Sequence, residues 1–441
     1  MKKIILTGGF SLFASVVLML TALLSGPALA SDALDLTPFT RVAAIGPISD
    51  PVEANDVARA AASAIATYVA TVDDTLPPSE FPANWVLGGL EGEPSEEAIE
   101  EAILRIPTPY RIDPAADMSA SNRKKVNVVE MCNPLFAKKA LGVDPIVDGD
   151  PDSKVINGYI HAPALPCEVA IYAAEDGNVY VEMLNPEAIF TLFFTDVLFG
   201  EQMNDPDFAA EIQALPAQVN DEIRTIIYAA LDGASIAYDP QSEPLGPLYQ
   251  SLQQVAQVVA ETPYESPFVH FAYEKSDGTE FSSEEVGFIA DKIIEKLSLD
   301  GIHHRSLDAR LNMDDWRSAR PHPLPVPGNL VIEACSPTNA ITAMGLGMEH
   351  ATALPCEVAV KAVNNNKTLL ITYLDPHFMF SALFSDAFGD LTDEEMQAFM
   401  ALPPLVLEDL QTIVRDALKR NNLKEMRIKL NQPEQLFFDM L

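Results

Sequence analysis

Apolar residues along the chain follow two different periods, which predict a mixture of strands and helices. In the second half, residues 268–274 alternate apolar and polar side chains, as a strand does. Residues 282–297 repeat apolar positions at helical spacing, and Ser282 or Ser283 followed by glutamates is typical of a helix start. Further strands are predicted at 301–311, 329–335, 356–363 and 367–375.

Both halves of the chain show this order of elements. Two amphipathic segments, 377–388 and 403–420, predict helices that close the second half. The first half begins with a predicted strand at 40–46 and a predicted helix at 53–72, and it carries an insertion around 74–111. Elements mixed in this way predict an α+β fold with two homologous two-layer domains, each an antiparallel sheet covered by helices.

A repeated block supports this division. "HAPALPCEVAIY" covers residues 161–172, "HATALPCEVAVK" covers 350–361, and stretches on both sides also match. Cys132 and Cys167 are 35 positions apart in the first copy, and Cys335 and Cys356 are 21 apart in the second. The first copy therefore holds 14 extra residues between its cysteines. We interpret the chain as a duplication. The predicted domains are 31–236 and 267–441, and a linker with a short helix covers 237–266.

The N-terminus has the pattern of a secretory signal. Lys2 and Lys3 precede an apolar stretch that ends with the small residues Ala28 and Ala30. A retained membrane anchor is the alternative, but the apolar core is short for a span. We predict that residues 1–30 are a cleaved signal peptide and that the protein is periplasmic or secreted. No later segment approaches the roughly 18 apolar residues of a membrane span.

Acidic residues dominate the composition. The chain has 64 Asp and Glu against 28 Lys and Arg, a net charge of −36, and loss of the two signal lysines makes it −38. A field of this sign repels nucleic acid and anionic lipid, so we expect neither as a partner. The ordinary explanation for such a surface is solubility.

The repeated residues also resemble a known family. Each copy has a glutamate two positions before a cysteine and a proline two after it, followed by Leu-Pro-Cys-Glu-Val and a strand that ends before a proline. The matching residues are Glu130, Cys132, Pro134, Leu165, Pro166, Cys167, Val169 and Pro186 in the first copy, and Glu333, Cys335, Pro337, Leu354, Pro355, Cys356, Val358 and Pro376 in the second. This pattern resembles the domain of unknown function 302 family.

The resemblance implies small α+β domains that self-associate, and it implies no activity. Two copies in one chain are what fusion of a homodimer would give, so we expect a pseudo-dimer. The arginine that often follows the second cysteine in this family is replaced here by Glu168 and Glu357. Any anionic ligand held by that arginine is therefore not expected in this protein.

The four cysteines leave three possibilities open. An even number in an oxidising compartment, on predicted neighbouring strands, favours the disulfides Cys132–Cys167 and Cys335–Cys356. Reduced cysteines packed in the two cores are the second possibility. A reactive thiol pair is the third, although no C-x-x-C motif supports it.

The histidines that open the repeated block are candidate metal ligands. Thiolate, imidazole and carboxylate together suit zinc or copper(I). The candidate ligands are Cys132, Cys167, His161 and Glu130 in the first copy and Cys335, Cys356, His350 and Glu333 in the second. Each glutamate lies two positions from a cysteine, so the two share a strand face. The alternative is a loop histidine that caps backbone groups, and because the spacing matches no metal motif we expect no cofactor.

Other polar and aromatic groups are interpreted as structural. His303, His304, His322 and Trp316 are expected on the surface, and the acidic turn 148–152 departs from a calcium loop. The phenylalanines of 190–194 and 378–384 are expected in the core, with an apolar ligand groove as the alternative.

Three functions compete on these grounds. No nucleophile elbow, phosphate loop or zinc-protease helix appears in the sequence, which favours a protein that is not an enzyme. We predict a non-catalytic binding or interaction module whose partner is an unknown small molecule or protein. A thiol-redox or metal-handling protein is the main alternative, and an enzyme with a hidden cleft is the third.

Overall fold

The structure is a computed structural model that describes most of the chain from Leu36 to Met426. The described ranges are 36–71, 85–90, 93–113, 115–117, 119, 122–141, 159–165, 167–198, 201–260, 262, 266–300, 317–318, 322–323, 329–354, 356–419 and 423–426. The predicted signal peptide, the predicted strand at 301–311 with His303 and His304, Trp316 and the acidic turn 148–152 lie outside the described residues.

Fourteen strands are present in the described residues. In the first half they are β1 (Phe39–Ile45), β2 (Val86–Leu87), β3 (Leu104–Arg111), β4 (Arg123–Cys132), β5 (Cys167–Ala173), β6 (Val179–Leu184) and β7 (Asp239–Leu245). In the second half they are β8 (Phe268–Lys275), β9 (Arg317–Ser318), β10 (His322–Pro323), β11 (Asn329–Cys335), β12 (Cys356–Val363), β13 (Thr368–Leu374) and β14 (Leu423–Met426).

Twelve α-helices accompany these strands in the same part of the chain. They are α1 (Pro51–Thr71), α2 (Glu96–Ala102), α3 (Pro134–Leu141), α4 (Pro186–Phe193), α5 (Thr195–Leu198), α6 (Pro206–Gly233), α7 (Leu252–Ala260), α8 (Ser283–Asp300), α9 (Pro337–Met344), α10 (Pro376–Leu383), α11 (Asp393–Met400) and α12 (Leu402–Leu418). Short 3₁₀ segments at Ala162–Ala164 and Met348–Ala353 contain or adjoin the repeated histidines.

Each half forms one antiparallel sheet, and the two sheets have the same strand order. The first runs β2-β4-β5-β6-β1-β7, with β3 also paired to β4. The second runs β10-β11-β12-β13-β8-β14, with β9 also paired to β11. The α+β prediction with antiparallel sheets is therefore confirmed.

Helices cover one face of each sheet. In the first half, α1 and α6 bury apolar side chains such as Ile65 and Ile227 against Val129 and Val169 of the sheet. In the second half, α8 and α12 do the same, with Ile293 and Ile413 among the buried side chains. Helical spacing of apolar residues supplies each helix with one core-facing stripe, as the sequence pattern predicted.

The other face of each sheet packs against the other half. One apolar cluster includes Phe39 and Phe194 from the first half and Phe268 and Phe384 from the second. A smaller cluster joins Cys132 to Val331 and Ala359 of the second half. The central strands are thus buried on both faces, which explains why they appear in the sequence as nearly continuous apolar runs.

The segment predicted as the start of the linker belongs to the first sheet. Residues 239–245 form β7, which pairs antiparallel with β1, and Phe39 lies opposite Leu245. The segment contains Pro240 and Pro244, which an exposed edge strand tolerates because its outer N–H groups need no partner. Its counterpart is β14, which pairs with β8 at the equivalent edge of the second sheet.

No helix in the described ranges has the length and apolarity needed to cross a bilayer.

Candidate functional site

Four glutamates meet where the inner faces of the two sheets pack together. Glu130 on β4 lies directly opposite Glu168 on β5, and Glu333 on β11 lies directly opposite Glu357 on β12. Their exposed fractions are 1%, 4%, 3% and 3%. We call Glu130, Glu168, Glu333 and Glu357 the carboxyl quartet. Strand alternation places them on the inner faces because Val129, Met131 and Val169 face the helices.

The quartet is held together across the two halves. Glu333 is close enough to Glu130 to share a hydrogen bond, and Glu168 stands in the same relation to Glu357. A carboxylate has no hydrogen to donate, so one member of each pair has to carry the shared proton. The two pairs therefore link β11 to β4 and β5 to β12 only while the quartet is partly protonated.

Burial and mutual repulsion keep these protons bound. Burial, followed by the nearby carboxyl of Glu130, raises the pKa of Glu168 well above its ordinary value. Burial raises the pKa of Glu333 and Glu357 in the same way, with Glu130 and Glu168 as the next causes. Like charges at such short range cannot all ionise in a site closed to water.

A third buried glutamate of the first sheet, Glu182, is paired with a basic side chain. Arg41 Nε donates to Glu182 Oε1 at 2.9 Å, and its guanidinium lies 3.6 Å from the centre of the Tyr180 ring. Burial still raises the pKa of Glu182 to about 7, although Arg41 opposes the shift. Glu182 therefore has a basic partner, whereas the neighbours that perturb the quartet are carboxyls and thiols.

A glycine makes room for Glu130. The amide of Gly88 donates to the Glu130 carbonyl oxygen at 2.9 Å, and a methyl group at Gly88 would lie 2.7 Å from Glu130 Oε2. Gly88 follows the short strand β2, in the region that the sequence showed only as an insertion. No sequence signal linked this glycine to the repeated block.

Cys132 and Cys167 lie near carboxyls of the quartet. Cys132, Cys167 and Cys335 are free in the structure, so neither predicted bridge is formed in it. The first pair lies on neighbouring strands, as predicted, but β5 pairs Cys167 with Met131 rather than with Cys132. Cys132 thus packs on the inner face, and Cys167 packs against the helix-side core. In the second half, the register pairs Cys356 with Ala334.

The thiols near the quartet are held in the neutral form. Burial, and then the neighbouring Cys167 and Glu130, raises the pKa of Cys132 well above its usual range. Burial and the adjacent Glu168 raise the pKa of Cys167 to about 12. The thiolate is the reactive species, so these surroundings disfavour a nucleophilic or redox cysteine.

The two repeated histidines occupy matching positions in the apolar core shared by the two halves. His161 stacks on Phe194 with ring centres 4.4 Å apart and meets the edge of Phe268 at 5.3 Å. His350 stacks on Phe384 at 4.4 Å and meets the edge of Phe39 at 5.5 Å. Each histidine therefore touches one phenylalanine of its own half and one of the other. We call these two arrangements the histidine clamps.

Among the side chains that the structure describes, the predicted metal ligands are not gathered into one site. Within the described part of the chain, one group of three or more such side chains has its ligand atoms within 4.8 Å of one another, and it consists of Glu349, His350 and Asp386. Sequence reasoning identified His350 but neither carboxylate. A signal was present, since Glu349 directly precedes the repeated histidine in the second copy alone.

The comparisons with known proteins agree with the sequence pattern. Residues 317–401 match the family model described as Domain of unknown function DUF302. The matched stretch runs from β9 to α11 and includes Glu333, Glu357 and His350. Comparison with curated proteins and with solved structures finds no match. Residues 317–401 of the second half thus match the model of the family that the repeated glutamate, cysteine and proline pattern resembles.

Proposed function

We propose that this protein is a non-catalytic binding or interaction module of the periplasmic or secreted compartment, built as a pseudo-dimer of two homologous halves. The observation that carries this proposal is the reciprocal contact between them. Phe268 of the second half meets His161, and Phe39 of the first half meets His350. An isologous dimer interface has this reciprocity, and a single fused chain inherits it.

The matching strand orders support the duplication. Corresponding strands occupy corresponding places in both sheets, including the edge strands β7 and β14. The quartet has the same symmetry, because Glu130 corresponds to Glu333 and Glu168 to Glu357. A surface that separate domains would use for self-association is here used within one chain.

The chemistry of the interface supports a structural role. Its carboxyls and thiols are almost fully buried, so a dissolved substrate does not reach them. Burial and like neighbours also raise the pKa of the Glu168 carboxyl and of the Cys132 thiol well above their ordinary values, which favours the neutral form of both groups. The quartet and Cys132 therefore join the halves rather than act on a substrate.

A ligand has a different place to bind, on the outer surface of the first half. An open cleft of about 420 Å³ is lined by Ile103 and by charged side chains of both signs. The charged residues are Arg59, Arg105, Lys125, Glu97, Glu100 and Glu101. The volume lies in the range of small-molecule sites, and the mixed charges suit a polar molecule with both a cationic and an anionic group.

Native mass spectrometry of the protein isolated without denaturation from the cells that make it tests this proposal. The expected particle is one chain that begins at Ser31 and carries a non-covalently bound molecule. Arg59→Ala removes an exposed cleft cation and should release that molecule, whereas Lys292→Ala, on the second half, should retain it. Two chains per particle would contradict the pseudo-dimer. A molecule that remains bound to the Arg59→Ala variant would show that it does not bind in this cleft.

A further inference from the structure

Three potential metal ligands converge in the second half, outside the carboxyl quartet. Glu349, His350 and Asp386 each place one ligand atom within 4.8 Å of the other two. Ligands that share one small divalent ion at about 2.0–2.2 Å have atoms no farther apart than this. Two of the three adjoin in sequence, and Asp386 follows α10, so the chain fold brings the third ligand to the other two.

The histidine has the hydrogen-bonding environment of a metal ligand. His350 Nδ1 lies 3.3 Å from the carbonyl oxygen of Gly347, and Nε2 lies 3.3 Å from Asp386 Oδ1. Both oxygens are acceptors, whereas a neutral imidazole has one N–H. When Nδ1 carries the hydrogen and donates it to Gly347, Nε2 turns a lone pair toward the carboxylate. A cation between Nε2 and Asp386 then satisfies both, as in known metal-bound histidines.

The imidazole is held in place while the carboxylates remain accessible. The side chain of His350 is fully buried, and the rings of Phe384 and Phe39 fix its plane. The side chain of Asp386 is 31% exposed, so an ion reaches the group from solvent. A rigid nitrogen ligand beside open carboxylates is a preorganised arrangement for metal capture.

Glu349 is positioned by the loop that precedes it. A methyl group at Gly347 would collide with the Glu349 carboxylate, so the glycine leaves the space that the carboxylate occupies. Within the described residues, the Glu349 carboxylate makes no hydrogen bond. It is thus available to a metal ion.

We propose that Glu349, His350 Nε2 and Asp386 bind one divalent transition ion per chain, of the class represented by Zn²⁺. One imidazole and two carboxylates suit Zn²⁺ and Co²⁺, whereas Mg²⁺ and Ca²⁺ prefer oxygen ligands alone. Three protein ligands leave a position for water. The first half has Ile160 where the second has Glu349, so it lacks one ligand, and the stoichiometry is one ion rather than two.

Equilibrium dialysis of the full protein against Zn²⁺, in the presence of excess Mg²⁺, tests this site. We expect one Zn²⁺ per chain. Glu349→Gln and Asp386→Asn should each weaken binding by about 100-fold, at least the loss seen when even the outer partners of a metal site are removed. Asp390→Asn removes the same charge from an exposed neighbouring position and should leave the affinity unchanged. These variants avoid the buried imidazole, whose removal endangers folding.

Cobalt distinguishes this site from the cysteines. Co²⁺ bound to nitrogen and oxygen should show weak d–d absorption without a thiolate-to-cobalt charge-transfer band. Binding that persists in both Glu349→Gln and Asp386→Asn overturns the proposal, and so does a thiolate band, which would move the metal to a cysteine. An absence of stoichiometric Zn²⁺ binding also overturns it.

Discussion

The four glutamates of the carboxyl quartet have other carboxyls as neighbours. Glu182, which is also buried in this protein, is instead paired with the guanidinium of Arg41. The difference follows from one position. The resemblance to the family implies a base after the second cysteine, where it would face Glu130 across the strand pair. This chain has Glu168 there, directly opposite Glu130. Bound protons, rather than a basic side chain at this position, therefore reduce the charge of the quartet.

The quartet predicts that stability falls as the pH rises. Burial raises the folded-state pKa of Glu168, Glu333 and Glu357, so the folded protein binds more protons than the unfolded chain above the ordinary glutamate pKa of about 4.3. Their contribution is complete below that pH and is lost as the pH rises through the folded-state values. Thermal unfolding followed from pH 4.5 to pH 9 should show a falling midpoint.

Glutamine variants separate the quartet from the rest of the acidic surface. In Glu168→Gln/Glu357→Gln, the neutral amides replace groups that need protons, so the midpoint should rise at pH 9 and its pH dependence should flatten. Glu187→Gln, on an exposed position of α4, should keep the slope of the natural protein. An unchanged slope in the double variant would show that the quartet is not protonated in the folded state.

At the scale of elements, the histidine clamps fix how the two sheets meet. Phe268 at the start of β8 and Phe39 at the start of β1 are 2% and 0% exposed. Each receives a histidine from the 3₁₀ region of the other half. The 3₁₀ segments Ala162–Ala164 and Met348–Ala353 therefore lie over strands of the opposite sheet.

Replacing a phenylalanine of the histidine clamps with alanine should lower the free energy of unfolding. Phe268→Ala removes a ring that contacts His161 and Phe193, and large-to-small changes of this kind typically destabilise by about 3–5 kcal/mol. Phe288→Ala is the matched control, because this ring on α8 is 53% exposed and its loss should cost less than about 0.5 kcal/mol. Urea unfolding measures both. Equal losses in the two variants would contradict the clamp.

Strands and helices were predicted correctly where the apolar residues followed a single clear spacing, either that of a strand or that of a helix. β8, β11, β12, β13 and α8 all lie where apolar spacing predicted them, and Ser282 with Glu285 forms the expected helix start. The distance between Cys132 and Cys167 depends instead on the register between β4 and β5. A shift of one residue moves a side chain to the other face of a strand, and the sequence did not specify that Cys167 would oppose Met131.

At the scale of the whole molecule, the two sheets form the middle of a helix–sheet–sheet–helix arrangement. The shared core contains residues of both halves, and it is the largest apolar cluster among the described residues. We therefore expect the two halves to stay associated when the connecting segment between α7 and β8 is cut.

A cut between the halves tests this independence. A protease site inserted between Ala260 and Ser266 should be cleaved without separating the two pieces, because the apolar core and the carboxyl pairs hold them. Native gel filtration should show the cut protein at the elution volume of the uncut insertion variant. The same cut in Phe268→Ala should weaken the association. Two separate peaks from the cut natural sequence would contradict a pseudo-dimer.

The sequence by itself determined the α+β class, the repeated block, most strands and helices, and the DUF302 pattern of the second half, because these depend on local periodicity and spacing. It also placed Glu130 and Cys132 on one strand face, which follows from alternation alone. The tertiary structure decided what that face meets. The quartet and the histidine clamps join residues of separate halves, and Asp386 reaches His350 only through the fold. Contacts of this kind depend on register and on packing between sheets, which no local pattern in the chain encodes.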